Sequence, residues 1–472
     1  MQQFKSCIYF LVDGARPDIF EQKLKAGLLP NLSRHMIERG GYRRATTVFP
    51  STTGPAYLPM LTGCYPGTCN VPGIRWFDRS EYGRTPLSVK RFRSYVGIES
   101  YMINKDLRPQ IKTLFELSKK PINIFSSINR GVSFFGNRTK LMRIFYFYYA
   151  HLTDRWSYLD KVATRKLLRA LKKKPDFVFL VYPAVDEYSH LADPFSFHTQ
   201  KAYEEFDRLF GLVVKRLQEL GRYDDTLLVL SSDHGLSATT KHFGVDRFLE
   251  EKGLKTFFYP LIYKRNFSAA TMVSGNGMCH VYLRGNGSWK DTPTFEELRS
   301  LNGDIPKELV EREEVDLVAG RGEDEDVYVL SKKGSAKISK HNGRYFYQKD
   351  HGDPLELGDV PQEGMDSREA LEKTFETKYP DSLVQLHQIF QSSRSGDFIV
   401  SANPGFDLRD RFESPEHHGS HGSLHREHMH VPLAINAPLK SGPIRTADLF
   451  PTMLSYLGME PQENIDGVNR RG

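Results

Sequence analysis

Three short apolar segments, each followed by an aspartate, constrain the fold of this chain most strongly. They cover residues 7–12, 176–182 and 226–231 and are rich in β-branched and aromatic side chains. Continuous apolar runs of this length are typical of strands buried on both faces of a parallel sheet. Asp13, Asp186 and Asp233 follow the three segments. We therefore expect their carboxylates at the carboxyl edge of one sheet, where α/β folds bind ligands.

Two of these aspartates have a histidine nearby. Asp186 precedes His190 by four residues, and His234 directly follows Asp233. If residues 186–190 form a helical turn, their side chains can converge on one metal ion. A single Asp or His at a strand end is usually structural. Three such endings in one chain indicate a metal site.

The segment TTVFPSTTGPAYLPMLTG, residues 46–63, supplies a candidate nucleophile. Pro55, preceded by Ser and Thr residues, predicts a helix start. Such a start offers unpaired N–H groups and a positive dipole end, which together can hold a phosphoryl group. A hydroxyl placed there can attack phosphorus when a metal ion takes up its charge. Taken alone, the segment also fits a capped helix whose threonines only satisfy backbone groups.

Composition narrows the class of protein. The 472 residues correspond to about three domains, although one α/β core with insertions fits equally well. Hydrophobic residues at 39% and charged residues at 26% are ordinary for a globular chain. The net charge of +7 is mild, so we expect anionic ligands but no specific nucleic-acid binding.

The termini and the cysteines bear on the location of the protein. The four cysteines show neither a disulfide framework nor paired zinc-ligand spacing. No signal peptide precedes the first strand, and no apolar run reaches the ~18 residues of a membrane span. We therefore expect a cytoplasmic protein with no transmembrane segment.

The pattern of elements divides the chain into a core and two insertions. We expect the core in three parts, residues 1–73, 175–242 and 391–472, with strands at 397–400 and 431–435. Residues 74–174 are rich in Arg, Lys, Tyr and Phe and lack βα alternation, which predicts a helical insertion that caps the site. Residues 243–390 contain short strand-like runs at 280–283, 326–330 and 345–347 and predict a second, small α+β insertion.

Three further segments allow two interpretations each. The aromatic run 144–150 is more often packing, but it could form an apolar, cationic wall for a lipid-like or aromatic phosphate ester. The Gly-rich segment 274–280 fits a plain turn better than a loop that reaches the site. The histidine-dense stretch could be a chelating tract, although we expect only one of its members to be a catalytic ligand; its histidines are His417, His418, His421, His425, His428 and His430.

Taken together, the motifs resemble the alkaline phosphatase superfamily, most closely its nucleotide pyrophosphatase/phosphodiesterase branch. The matching pieces span nearly the whole chain in the order of the family: VDGARPD, FPSTTGPAYLPMLTG, PAVDEYSH, SSDHG, GSHG and RTADLFPTMLSYLG. The resemblance implies an α/β fold with an alkaline-phosphatase-like three-layer core and a mostly parallel central sheet. It also implies an enzyme that hydrolyses phosphodiester or pyrophosphate bonds of a small, nucleotide or lipid-like substrate.

The same resemblance implies roles for individual residues. In the family the nucleophile precedes a Thr-Gly pair at a fixed spacing. That pair is Thr62-Gly63 here, so the resemblance makes Thr53 the nucleophile, which would form a phospho-threonine intermediate. One metal ion would be held by Asp13, Asp233 and His234, with Thr53 as a further ligand. The other would be held by Asp186, His190 and His421. Both ions are expected to be zinc, which suits imidazole and carboxylate ligands, with manganese as an alternative.

Departures from the pattern of the family leave the substrate open. Many diesterases of the family carry Asn three residues after the nucleophile, where this chain has Ala56. A sulfatase is disfavoured, because Thr53 cannot become formylglycine and Tyr57 stands where an Arg is needed. Phosphonoacetate hydrolases also use Thr, so a phosphonate hydrolase or a phosphomonoesterase on the same site remains an alternative. A binding protein without turnover is disfavoured, because all six expected ligands and the Thr are present.

Overall fold

Two large sheets and their surrounding helices form the fold. The computed structural model describes residues 3–85, 88, 90–140, 142–261, 263–285, 288–300, 303–412 and 416–472. The strands are β1 (Ser6–Val12), β2 (Gly41–Thr46), β3 (Arg75–Phe77), β4 (Phe92–Ser94), β5 (Pro121–Ile124), β6 (Phe177–Tyr182), β7 (Thr226–Ser231), β8 (Ser237–His242), β9 (Thr256–Phe258), β10 (Ala269–Ser274), β11 (Met278–Leu283), β12 (Val315–Arg321), β13 (Val327–Ser331), β14 (Gly334–His341), β15 (Arg344–Gly352), β16 (Phe398–Ala402), β17 (Gly405–Asp407), β18 (Gly419–Ser420) and β19 (His430–Ile435).

The α-helices vary from single turns to six turns in length. They are α1 (Pro17–Lys25), α2 (Pro30–Leu32), α3 (Leu58–Thr62), α4 (Arg79–Arg84), α5 (Ile103–Asp106), α6 (Leu114–Leu117), α7 (Met142–Thr153), α8 (Trp156–Ala170), α9 (Ala184–Leu191), α10 (Phe197–Glu219), α11 (Val245–Glu251), α12 (Phe295–Ser300), α13 (Ile305–Val310), α14 (Ser367–Thr374), α15 (Ser382–Ile389), α16 (Arg426–Met429) and α17 (Leu449–Leu457). None of the described helices combines the length and apolar character that a membrane crossing demands.

The central sheet has the order β2-β19-β7-β1-β6-β5. β5, β6, β1 and β7 run parallel, while β19 lies antiparallel between β7 and β2. Every residue of β1, β6 and β7 is buried, as their apolar runs predict. The mostly parallel sheet is thus confirmed, and the strands that precede Asp13, Asp186 and Asp233 are immediate neighbours.

Side chains on both faces of this sheet are covered, which gives three layers. Successive strand residues point to opposite faces. The ring of Phe10 packs at 5.2 Å from that of Phe210 on α10. Its neighbour Tyr9 stacks at 5.1 Å on Phe179, which in turn lies 6.4 Å from Phe115 on α6. The expected three-layer core is therefore present.

The helical spacing of Phe206, Leu209, Leu212 and Val213 predicts one buried apolar stripe on α10, and one of the four residues departs from it. Phe206, Leu209 and Val213 are buried, but Leu212 is 40% exposed. At 3.6 residues per turn, position 212 lies about 120° away from position 206 around the helix. The predicted apolar stripe is correct for the other residues.

The second sheet has the order β15-β14-β13-β12-β16-β11-β10-β9. Its strands include the three runs that the sequence predicts within residues 243–390. β16, expected at 397–400 as a core strand, instead pairs with β11 and β12 in this sheet. That expectation is wrong, because a fully buried strand has the same apolar sequence whichever sheet receives it.

The segment 74–174 contributes to the core as well as to the site. β5 extends the central sheet beside β6, and α8 buries Leu159, Ala163 and Leu167 in the same apolar core. Residues 95–97 of this segment and part of α7 line a pocket at the carboxyl edge of the central sheet. The proposed division of the chain into five segments stays a prediction, although this segment is not helical throughout.

Candidate metal centre and active site

The candidate nucleophile Thr53 lies in a loop that leads from β2 to α3. A 3-10 turn, Pro55–Tyr57, opens the predicted helix, and Gly63 ends it with a φ of 72°. Gly54 has a φ of 91°, a backbone conformation that glycine adopts without steric cost. This turn holds the Thr53 hydroxyl 3.1 Å from Nε2 of His234 and 3.4 Å from Oδ1 of Asp13.

The structure brings the seven predicted residues together at the carboxyl edge of the central sheet. Among the described residues, two groups have ligand atoms within 4.8 Å of one another: Asp13 with Asp233 and His234, and Asp186 with His234 and His421. The first group matches the predicted set for one metal ion. The second contains His234 in place of the predicted His190.

His190 lies beside the second group and contacts it. It follows Asp186 on α9, and its Nε2 is 3.5 Å from Oδ2 of that residue, as the helical spacing predicts. Its ring centroid is 5.3 Å from that of His421. The rings of His234 and His421 stack at 3.6 Å, so the two groups are contiguous.

Each of the three histidines has its Nδ1 next to a backbone carbonyl. His190 lies 2.7 Å from the oxygen of Gly419, His234 lies 3.0 Å from that of Gly235, and His421 lies 3.0 Å from that of Ser51. A carbonyl accepts only, so each Nδ1 carries a proton, and in the neutral ring each Nε2 keeps a lone pair for a metal ion. This is the arrangement by which proteins orient metal-binding histidines.

The carboxylates of the site fit a cationic ligand. Oδ1 of Asp186 and Oδ2 of Asp233 are buried and have no hydrogen-bond partner among the described residues. Burial, together with the charge of Asp186, raises the pKa of Asp233 to about 7. Burial raises the pKa of Asp13 well above its ordinary value, and repulsion from Asp233 adds to this shift. A divalent cation would relieve this repulsion and satisfy both unpartnered oxygens.

A pocket of about 380 Å³ opens beside these residues. Its walls include five residues that the sequence does not single out: Arg75, Val96, Arg143, Glu187 and Arg409. They also include Phe147, Tyr148, Asn276 and His417, which belong to the three segments with two interpretations. Tyr148 belongs to the aromatic run for which a substrate wall was one interpretation. Arg143, which directly precedes this run, was detectable only as part of the basic, aromatic composition of residues 74–174.

Two loops from the second half of the chain complete the pocket. The Gly-rich loop does reach the site, against the preferred interpretation: a Cβ atom on Gly275 would lie 2.6 Å from Nδ1 of His421. In the histidine-dense stretch only His421 joins a ligand group. His417 lines the pocket, with its ring 4.4 Å from that of His190.

Comparison with known proteins gives a family match and a human relative. Residues 7–424 match the family model described as type I phosphodiesterase / nucleotide pyrophosphatase. The human ectonucleotide pyrophosphatase/phosphodiesterase family member 1 is 23% identical over 266 residues, which are 54% of this chain and 26% of the relative.

Two solved structures share the fold over nearly the whole chain. Phosphonoacetate hydrolase from Sinorhizobium meliloti 1021 superposes with a TM-score of 0.58 at 18% identity, covering 97% of this chain and 96% of the other. Murine ectonucleotide pyrophosphatase/phosphodiesterase 5, in complex with AMP, gives a TM-score of 0.59 at 12% identity, with 98% and 97% covered. On the match of the family model, the chain belongs to the type I phosphodiesterase / nucleotide pyrophosphatase family of the alkaline phosphatase superfamily.

Proposed function

We propose that this protein is a metal-dependent hydrolase of phosphodiester or pyrophosphate bonds that works through a phospho-threonine intermediate on Thr53. The observation that carries the proposal is the position of the Thr53 hydroxyl, 3.1 Å from His234 and 3.4 Å from Asp13, both members of the candidate ligand groups. Family membership supports the reaction class.

The donor set supports two divalent ions, zinc or alternatively manganese. Asp13, Asp233 and His234 would hold one ion, and Asp186, His190 and His421 the other. Imidazole nitrogen and carboxylate oxygen are the usual ligands of catalytic zinc. When bound, the ions would supply Lewis-acid stabilisation of the nucleophile, the leaving oxygen and the charged phosphoryl group.

The residues of the chain position the nucleophile and the phosphoryl group. The Thr53 oxygen attacks phosphorus, the Thr53–phosphorus bond forms, and the bond to the leaving oxygen breaks. Water then cleaves the phospho-threonine and restores the hydroxyl. Ala56 lacks the side-chain amide of the Asn that many diesterases of the family carry at this position. The backbone N–H groups of Thr53 and Gly54, however, donate no hydrogen bond to any described residue. Both are candidates for binding a phosphoryl oxygen.

The pocket supports a small phosphate ester as substrate. The structure of the related murine protein is a complex with AMP, so a nucleotide is one candidate for the ester. Ile144, Phe147 and Tyr148 give this pocket an apolar wall, which would equally accept a lipid-like group.

A phosphonate with a second anionic group is the other candidate substrate. The half-buried Arg143 lines the pocket, and its guanidinium donates to the carbonyl of Phe125 and to the hydroxyl of Ser100. No carboxylate in the described part of the chain forms an ion pair with it. A carboxylate or phosphate on the substrate would supply that charge.

The test compares bis-p-nitrophenyl phosphate, p-nitrophenyl phosphate and phosphonoacetate in the presence of zinc. We expect the diester to be hydrolysed fastest and Thr53→Ala to lose this activity, while Thr52→Ala serves as the neighbouring control. Faster monoester or phosphonate turnover would move the assignment to the alternatives. Retained activity in Thr53→Ala would exclude Thr53 as the nucleophile, and fewer than two metal ions per folded, metal-supplemented chain would contradict the proposed ligand sets.

A further inference from the structure

One face of α7 is apolar and open to solvent. Met142, Phe145, Tyr148 and Leu152 are 49%, 65%, 59% and 79% exposed. They are spaced three, three and four residues apart, which places them on the same side of the helix. The other side packs inward through the buried Ala150. Exposed apolar residues grouped in this way are uncommon on a surface that contacts only water.

Two further exposed aromatic side chains lie on the segment that precedes the helix. Phe134 and Phe135 are 72% and 73% exposed, and their rings pack edge to face. The amine of Lys140, two residues before α7, lies over the ring of Phe134. We call this surface the cap face; it consists of Phe134, Phe135, Met142, Phe145, Tyr148 and Leu152.

The cap face adjoins the mouth of the catalytic pocket. Tyr148 belongs to both, because it lines the pocket and is still 59% exposed. Its neighbours Ile144 and Phe147, on the inward side of α7, also line the pocket. A partner that covered the cap face would therefore lie at the entrance to the candidate active site.

The sequence around the cap face is strongly cationic. Residues 118–174 contain 14 Lys and Arg but only two acidic residues, a net charge of +12. The whole chain carries +7, so the remainder carries −5. Most of these basic side chains are exposed, among them Arg155, Lys161 and Arg165.

A basic depression lies directly beside the cap face. Phe135 shares its wall with Lys119, Lys120, Arg138 and Lys173, and none of its lining residues is acidic. The nearby carboxylate of Asp176 accepts hydrogen bonds from the backbone N–H groups of Lys119 and Lys120. Cationic side chains thus stand next to exposed apolar ones, which is the composition of interfacial membrane-binding surfaces.

We infer that the cap face docks on an anionic lipid bilayer, with its apolar side chains inserted at the headgroup boundary and the surrounding basic side chains bound to lipid phosphates. A second copy of the chain would bring two segments of net charge +12 together, which disfavours it. Nucleic acid would match the charge and could stack on the four aromatic side chains, but the exposed aliphatic Met142 and Leu152 offer it no stacking surface, whereas a bilayer accepts both kinds of side chain. If the proposed function also holds, docking would present phosphodiesters of lipid headgroups to the catalytic pocket.

Vesicle flotation of the full chain tests this inference. We expect the protein to float with vesicles of phosphatidylcholine and phosphatidylserine at least about tenfold more than with phosphatidylcholine alone, and less in high salt. The double variant Phe145→Glu with Leu152→Glu should lose this binding about tenfold or more. The matched control, Leu28→Glu with Val468→Glu, introduces the same two negative charges at exposed apolar positions outside the cap face. It should float like the wild type.

Several results would overturn the inference. They are a wild type that does not float, a cap-face variant that floats like the wild type, and binding of a single-stranded oligonucleotide without binding of vesicles. A dimer that the cap-face variant dissociates would assign the face to a second copy. If the helix variant does not fold, Phe134→Ser with Phe135→Ser tests the same face in a loop. The Thr53→Ala variant should float like the wild type, because docking does not require Thr53. Failure of the docking inference can therefore be distinguished from failure of the proposed function.

Discussion

The hydroxyl of Tyr57 donates a 2.6 Å hydrogen bond to Oδ2 of Asp13, both of them buried. The bond fixes the orientation of a candidate metal ligand, and Tyr57 stands only four residues after Thr53. The same tyrosine thus connects the nucleophile loop to the end of β1.

Replacing this tyrosine is expected to weaken metal binding. Tyr57→Phe keeps the ring but leaves Oδ2 of Asp13 without its donor, so we expect zinc affinity to fall about 10- to 100-fold. Calorimetric titration of the metal-free protein measures the change. Tyr182→Phe removes a buried hydroxyl whose hydrogen-bond partner is Thr164, at 3.0 Å, and not a candidate ligand, so this variant should bind zinc like the wild type. Equal affinities in all three proteins would mean that Tyr57 does not orient Asp13.

Gly14 is expected to be intolerant of any side chain. A Cβ atom there would lie 2.7 Å from Oδ1 of Asp186, and its φ is 67°. Gly27 has a φ of 69° with no atom within 4 Å, so Gly27→Ala incurs only the backbone strain of about 1–2 kcal/mol. Gly14→Ala should in addition displace Asp186 and lose most of the zinc-induced rise in Tm, which Gly27→Ala keeps. A similar zinc response in both variants would contradict the close packing at Asp186.

His280 should make stability depend on pH. Its Nδ1 accepts the backbone N–H of Gly396, and its Nε2 donates to the carbonyl of Pro72. Protonation of Nδ1 would place its N–H opposite the N–H of Gly396, so that two donors face each other. Burial lowers the pKa of His280 to about 4. Because the unfolded chain binds the proton more readily, stability is retained above pH 6.5 and is lost as the pH falls towards 4.

The variant His280→Gln isolates this contribution, since its amide can also accept from Gly396 and donate to Pro72. Between pH 7.5 and pH 5 the metal-free wild type should lose about 2 kcal/mol more unfolding free energy than the variant. Urea unfolding at the two pH values measures the difference. Parallel losses in the two proteins would show that His280 does not titrate in this range.

Arg143 should discriminate substrates by charge. Arg143→Met is expected to lower kcat/KM about 10- to 100-fold for an ester or phosphonate with a second anionic group, because a charged hydrogen bond is lost. Hydrolysis of bis-p-nitrophenyl phosphate should change much less. Arg155→Met, which removes an exposed arginine beyond the end of α7, is the control. Equal losses on both substrates would assign Arg143 to the structure of the cap instead of to selectivity.

The central sheet and the convergence of the candidate ligands could be predicted because both depend on local sequence. A long apolar run indicates a buried strand wherever it occurs, and Asp13 and Asp233 follow such runs almost directly. β5 could not be predicted, since its four residues form a sheet edge only through contact with β6. The sheet that receives β16 depends on distant partners for the same reason.

The pocket was less predictable than the metal centre. Arg143 and His417 are 274 positions apart in the sequence and reach the same cavity only after folding. Neither belongs to a motif with fixed spacing. The hydrophobic pattern of the sequence does not reveal such positions. By contrast, the four-residue spacing of Asp186 and His190 places both on one helical turn.

The hydrogen bond from Nδ1 of His421 to the carbonyl of Ser51 joins segments 370 residues apart. During synthesis the Thr53 loop and Asp13 therefore leave the ribosome long before one of the side chains that would complete the site. A nascent chain cannot form the full ligand set until His421 has emerged. Loading of the ion that needs His421 should accordingly be late, and ribosome-bound chains that end before residue 421 should bind less zinc per chain than longer ones.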